Sequence, residues 1–348
     1  MHANKTKRAR QATRRRFVRS AAGAATAAVA AHFGGRHAFG ASAPTLRVIS
    51  IPGRPLPVLL AETQGIFARY GLNVHVDAAP TSDALRDSLA DGQADIAHAA
   101  VDNAVAMVEN SRADVVVVMG GEGSINELIA QPDIHSIADL RGRTLIVDAP
   151  NTAYAIQLKK ILLSSGLRAA TDYQLFPVGA TPLRLQAMRD HKEYAASMLG
   201  PPASVIARHV GLVSLGSTRT VLGPYQAIGA FTQRAWARGH SDSLVKYLAA
   251  YVEAQRRLLE PASRAAVLEL FKQEWHLEQP FASETYVLMQ GRVWYQPDAR
   301  FDLEGFKTVL RLRAEIEGQW KGRAPAPEKY CDFSYYQRAL RMITPLGH

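Results

Sequence analysis

Cysteine is nearly absent: Cys331 is the only one in 348 residues. One thiol cannot close an intramolecular disulfide, supply a Cys-rich metal site or, at that position, carry an N-terminal lipid anchor. Runs of about 18 apolar residues, the length of a membrane-spanning helix, are missing too. The eleven histidines are scattered, with His2, His32 and His37 near the N-terminus and none at metal-ligand spacing, which argues against a zinc centre. There is no His-Glu-x-x-His helix, no Gly-x-Ser-x-Gly elbow and no phosphate-binding Gly-x-x-x-x-Gly-Lys loop. Gly121-x-Gly123 lacks the third glycine of a dinucleotide fingerprint and reads as a tight turn. The pattern calls for no cofactor, no metal and no catalytic residue.

Acidic residues are absent from the first forty positions, which hold nine of the 41 basic residues. The rest of the chain carries 32 basic against 31 acidic side chains, so the net charge of +10 sits almost wholly in that segment. A nucleic-acid role thereby loses its support. The segment instead has the three parts of an export signal: a basic region, a weakly apolar Ala-rich stretch over 21–31, and small residues near a cut. Thr13-Arg14-Arg15-Arg16-Phe17-Val18-Arg19 resembles the twin-arginine motif. The expectation is a signal peptide over 1–40, handled by the twin-arginine export machinery and cleaved near Gly40 or Ala43. The mature protein is then periplasmic.

From residue 44 onward, short β-rich runs alternate with helical stretches. Strands are expected at 46–51, 72–76, 95–98 and 115–119, with helices at 56–70, 81–89 and from Asp102 onward. Apolar runs flanked by helices imply a parallel sheet covered on both faces. A second cycle of strands follows at 144–147, 173–176, 195–199 and 212–215, and the chain returns as a strand at 227–231. Residues 241–343 read as almost entirely helical. The fold class is α/β: two lobes, each a mostly parallel sheet flanked by helices, joined by two crossing strands near 127–135 and 223–231. Lobe I would comprise 44–128 and 229–348, including the C-terminal helices; lobe II would comprise 129–228.

Gly65-Ile66-Phe67-Ala68-Arg69-Tyr70-Gly71-Leu72-Asn73-Val74 and Leu89-Ala90-Asp91-Gly92-Gln93-Ala94-Asp95-Ile96-Ala97 resemble two stretches of the sulfonate, nitrate and thiamine-precursor binding proteins. Leu140-Arg141-Gly142-Arg143-Thr144-Leu145-Ile146-Val147 is similar to the start of their second lobe, with Arg143 where lysine is usual. The resemblance, over about 45–260, implies the type II periplasmic-binding-protein fold of the NMT1/THI5-like group. It also implies a soluble monomeric binder that hands a small-molecule ligand to an ABC permease and its ATP-binding subunit. Some relatives of this fold are desulfinases or pyrimidine-precursor synthases. Both use cysteines, and Cys331 lies far from the expected cleft, so the chain reads as a binder and not an enzyme. A ligand-sensing receptor subunit is a further alternative that the sequence leaves open.

Ligands of open α/β sheets bind beyond the C-terminal strand ends, where helix N-termini present free N–H groups. That rule selects Arg54, Thr81, Ser82, Asp102, Asn103, Asn151, Thr152 and Tyr154, with Gly200-Pro201-Pro202 as a further loop. Glu122, among the glycines after the fourth strand, and Tyr225, near the second crossing, complete the candidate set. Arg54 suits an acidic group, and Tyr154 and Tyr225 an aromatic one, so the expected cargo is a small organic anion: a sulfonate or an aromatic or heterocyclic acid.

Overall fold

The computed structural model describes residues 45–343. The expected signal peptide, with its twin-arginine-like motif and both expected cleavage sites, lies outside the described residues.

The first half of the chain runs β1 (Thr45–Ser50), α1 (Leu56–Thr63), α2 (Ile66–Arg69), β2 (Asn73–Ala78), α3 (Ser82–Ala90), β3 (Ile96–Ala100), α4 (Asp102–Asn110) and β4 (Val115–Gly123). A second cycle follows with β5 (Glu127–Ala130), β6 (Thr144–Val147), α5 (Ala153–Ser164), β7 (Gln174–Pro177) and α6 (Thr181–Asp190). It continues through β8 (Tyr194–Leu199), α7 (Ala203–His209), β9 (Val213–Ser217) and α8 (Thr218–Leu222) to β10 (Gln226–Gln233). The remainder is helical in its main parts: α9 (Arg234–Gly239), α10 (Ser241–Leu258), α11 (Arg264–Trp275), α12 (Phe281–Gln290), α13 (Leu303–Ile316) and α14 (Ser334–Met342).

Two five-stranded sheets result, ordered β2-β1-β3-β10-β4 and β7-β6-β8-β5-β9. The two orders are the same pattern. In each, a single antiparallel strand is inserted beside the third parallel one: β10 in the first sheet and β5 in the second. Those are the strands the chain forms directly after crossing between sheets, so each runs back against its new neighbours. One antiparallel strand in five leaves each sheet mostly parallel, as expected, and the α/β two-lobed class stands.

Three local expectations are corrected. The helix expected over 56–70 is split in two, because Gly65 adopts a left-handed conformation that no α-helix accommodates. The glycines after Met119 are not a turn; they extend β4. A Cβ at Gly120 would strike the Arg300 carbonyl, and one at Gly123 the Val293 carbonyl, so glycine there admits a crossing backbone. That crossing backbone is the third correction, since residues 291–302 are not helical. Gly123 N donates to the Trp294 carbonyl (2.9 Å), and Glu122 bridges Tyr295.

Burial explains why the C-terminal region holds its place. Val48, Ile96, Val116 and Val118 of the first sheet pack on Leu244, Tyr247, Leu248 and Tyr251 of α10. Leu56, Leu59 and Leu60 of α1 pack on Leu258, Phe271 and Trp294. At roughly 1.5–3 kcal/mol for each large side chain buried, these contacts hold α10 on the sheet and Trp294 of the irregular 291–302 segment on α1.

Candidate functional site

The strand ends of the first sheet and the helix starts of the second enclose a cavity of about 450 Å³. Ile51, Pro52, His98, Glu122 and Ile228 form its first-sheet wall. Thr181, Leu185 and Arg189 of α6, with Pro201 and Pro202 before α7, form the opposite one. Trp275, Trp294 and Tyr295, from the C-terminal region, close the side. Most of this lining is apolar or aromatic.

Its polar groups are few and unequal. Glu122 accepts from Trp294 Nε1 at 2.7 Å and also hydrogen-bonds the Tyr295 hydroxyl. Burial pushes the carboxyl up to about 7, against the pull of those two hydrogen bonds. The part of Glu122 that stays accessible opens on the cavity. His98 is 1% exposed, with Nε2 2.9 Å from the Tyr247 hydroxyl and its ring stacked on Tyr251. Nδ1 has no partner among the described residues, and burial holds the ring neutral by pushing its pKa down to about 3. Arg54 lines the cavity, but its guanidinium is held by Glu62 and by both oxygens of Glu274 (3.3 Å each). Arg189 is exposed at the cavity wall and has no ion pair among the described residues.

A smaller chamber of about 40 Å³ adjoins the cavity, sharing Ile51, Pro52, Thr181 and Ile228 with it. Here the two sheets meet directly. Ser82 donates to Asp148, a buried contact from the start of α3 to the end of β6, and Ala180 N donates to the Pro80 carbonyl (3.1 Å). Beside them lies Arg184, 1% exposed and without an ion pair among the described residues. It donates from Nε to Ser197 (3.1 Å) and from Nη1 to the Gly179 carbonyl (2.6 Å). Nη2 donates to Thr181 (3.1 Å) and the Met198 carbonyl (3.1 Å), and the guanidinium stands 5.5 Å from the Tyr154 ring centre. Burial lowers its pKa, with Asp148 opposing. Four hydrogen bonds make Arg184 a strut that fixes the start of α6 against β8.

The NMT1-like family model matches residues 53–272, which spans β2 to β10 and leaves β1 and the cavity residues Ile51, Pro52, Trp275, Trp294 and Tyr295 outside the match. The chain belongs to the NMT1-like family. Solved structures of the same fold include a Bordetella bronchiseptica protein with TM-score 0.74 and 18% identity, covering 86% of this chain and 97% of that one. The periplasmic nitrate-binding protein NrtA from Synechocystis matches with TM-score 0.71 and 11% identity over 86% and 89% of the two chains. The alkanesulfonate-binding protein SsuA from Xanthomonas axonopodis, bound to MOPS, matches with 0.66 and 15% over 80% and 94%. At such identities these likenesses carry the fold. No curated protein matches the sequence.

Within this NMT1-like chain, the expected site residues separate into groups. Arg54 and Glu122 line the large cavity, and Ser82, Asn103, Thr152 and Tyr154 the small chamber. Asn103 is engaged on both sides, accepting from Arg86 (3.0 Å) and donating to the Ala100 carbonyl (3.2 Å). Thr152 donates to the Ala149 carbonyl (2.9 Å). Thr81 caps α3 by accepting from Ala84 N (3.1 Å), and Asn151 lines neither chamber. Asp102 is buried in an ion pair with Arg313 (2.6 Å), and Tyr225 is 4% exposed within the core beside the second crossing.

Sequence reasoning passed over His98, Asp148, Arg184, Arg189, Trp275, Trp294 and Tyr295. His98 had a readable signal: one polar side chain inside an otherwise apolar strand, Ile96–Ala100. Trp294-Tyr295, flanked by Gly291 and Pro297, interrupts the helical pattern with aromatic residues and could also have been noticed.

Proposed function

We propose that this chain is the solute-binding component of an ABC importer, acting outside the cytoplasm as a binder and not a catalyst. Its cargo is a small organic acid with an aromatic or heterocyclic body. One observation carries this reading: the cavity of about 450 Å³ whose walls come from both sheets. An aromatic side built by Trp275, Trp294 and Tyr295 suits a planar body, and such cavities bury most of a small ligand. The names of the Xanthomonas and Synechocystis neighbours, binding proteins for an alkanesulfonate and for nitrate, support the same reading.

Arg54 is already neutralised by two carboxylates, so the acid group is assigned to Arg189, the cavity's unpaired cation. The proposed site is Arg189, Glu122, His98 and the three aromatic residues, with Ser82, Asn103, Thr152 and Tyr154 shaping the adjoining chamber. The Ser82–Asp148 and Pro80–Ala180 contacts belong to the closed arrangement. On the flank, α5 of the second sheet is tied to α13 by Lys159–Glu317 (2.8 Å). The lobes, 44–128 with 229–348 and 129–228, are proposed to part about the two crossings and to close on ligand.

Screening the protein by thermal shift against sulfonates, aromatic carboxylates and nitrate tests the reading. A bound ligand at 100 times its Kd adds about 2.7 kcal/mol, an easily visible shift. Small-angle scattering is expected to show a more compact particle with the hit than without it; identical profiles would refute closure. Arg189→Ala is expected to weaken an aromatic acid at least tenfold (about 1.4 kcal/mol), the scale of one charge-assisted hydrogen bond. An unchanged Kd in calorimetry would remove Arg189 from the site. A ligand consumed during incubation would replace the binder with an enzyme.

A further inference from the structure

We propose that the first-sheet floor of the large cavity, where Glu122 and His98 meet Trp294 and Tyr295, is a subsite for a nitrogen group that donates hydrogen bonds, an amine or amidine. This inference rests on the interlobe-capture reading and adds a second pole to its ligand. The floor and the Arg189 wall differ in kind. Arg189 offers only donors, whereas Glu122 offers carboxyl oxygens and His98 offers Nδ1.

Trp294 and Tyr295 fix the carboxyl of Glu122 without using all its acceptor capacity, since a carboxylate presents about four lone-pair positions. His98 supplies the independent observation. It lines the same cavity at 1% exposure, and Nδ1 has no partner among the described residues. Its other nitrogen is engaged with Tyr247, which fixes the plane of the ring. With Nε2 engaged by Tyr247, Nδ1 is the ring nitrogen left to meet a ligand. The Tyr251 ring stacks on His98 with centroids 4.8 Å apart, and its buried hydroxyl has no partner among the described residues. A buried group left without a hydrogen bond is costly, so Nδ1 of His98, a residue that lines the cavity, stands to gain from a ligand partner.

The sign of the partner follows from the same groups. An anionic group on this floor would face a carboxyl, and the acid pole of the ligand is therefore excluded from it. A protonated nitrogen gains the carboxylate within an enclosure lined by Trp294 and Tyr295. Holding Glu122 near neutrality as a partly protonated acid has a further consequence: an arriving cation displaces its proton, which leaves to solvent.

Calorimetry of the full chain at pH 7 with 4-(aminomethyl)benzoate and 4-methylbenzoate tests this directly. The two probes share the acid and the ring and differ in the nitrogen. The ammonium probe is expected to bind at least tenfold more tightly, with a heat that varies with buffer ionisation enthalpy because a proton is released. Glu122→Gln is expected to bring the two affinities within threefold of each other and to abolish the buffer dependence. His98→Gln, which can retain the Tyr247 contact, is expected to reduce the ammonium preference severalfold. Equal binding of both probes, or tighter 4-methylbenzoate binding, overturns the nitrogen subsite and leaves capture of an organic acid standing. A preference that survives Glu122→Gln also overturns it. Binding of neither probe overturns both.

Discussion

Replacing Asp102 with alanine is expected to lower the free energy of unfolding by about 3–5 kcal/mol while leaving the ligand affinity of the folded protein unaltered. Asp102 and Arg313 are each 1% exposed and meet at 2.6 Å, tying the start of α4 to α13. Burial opposes the charge on Arg313, and the Asp102 carboxylate overcomes that opposition, holding the guanidinium above its ordinary pKa. Without Asp102 the cation keeps only its 2.8 Å contact with Gln319, and a guanidinium cannot shed its charge. The converse change, Arg313→Met, is expected to cost less, because a stranded carboxyl can neutralise itself by taking up a proton. The double variant removes both charges and is expected to recover most of the loss. Urea unfolding should therefore rank wild type and the double variant above Arg313→Met, and that above Asp102→Ala. A midpoint for Asp102→Ala within the error of wild type would show the pair to be dispensable. A fall in ligand affinity would instead return Asp102 to the site.

Asp102 also illustrates what a single sequence conveys about this fold. Its position before a helix, after an apolar strand, was legible, and so was the alternation that builds both sheets. Those features depend on local periodicity and turn chemistry. Whether Asp102 faces ligand or Arg313 depends on a partner 211 residues away, which no local pattern reveals. The same holds for Arg54, whose apparent freedom in a loop ends at Glu274. The antiparallel strands β5 and β10 were visible as strands, but their direction follows from the crossing and not from their own residues. Local rules also misread the glycines of β4 as a turn, because their cause is the Arg300 and Val293 carbonyls passing over the strand. Trp294 and Tyr295 reach the cavity by that crossing. Of the expected residues, Arg54 and Glu122 line the large cavity and several others are caps or core contacts, whereas His98 sits mid-strand, Arg189 in the last turn of α6, and Trp294 and Tyr295 in the C-terminal region.

The buried acid and base of the cavity predict that acidification from pH 7 to 5 will leave native stability nearly flat, and that either substitution will unmask a slope. His98 is held neutral when folded, near pKa 3, and takes up a proton near 6.5 when unfolded. The unfolded chain binds more protons across this window, so His98 alone would remove about 2 kcal/mol by pH 5. Glu122 acts in the opposite sense. Its folded pKa is about 7 against an ordinary 4.5, the folded chain binds more protons, and stability rises by about 2 kcal/mol over the same interval. The groups facing this pair are the Tyr154, Tyr247, Tyr251 and Tyr295 hydroxyls. Burial pushes all four upward, so they stay protonated throughout. Glu284 is held low by His209 and Arg208, and its contribution is lost only below about pH 4.5, outside the window. Glu122→Gln should therefore lose about 2 kcal/mol between pH 7 and 5, and His98→Gln should gain about as much. Urea unfolding of the three proteins at pH 7, 6 and 5 measures both slopes. Parallel profiles would mean that neither group has the buried, shifted state on which ligand recognition at the cavity floor depends.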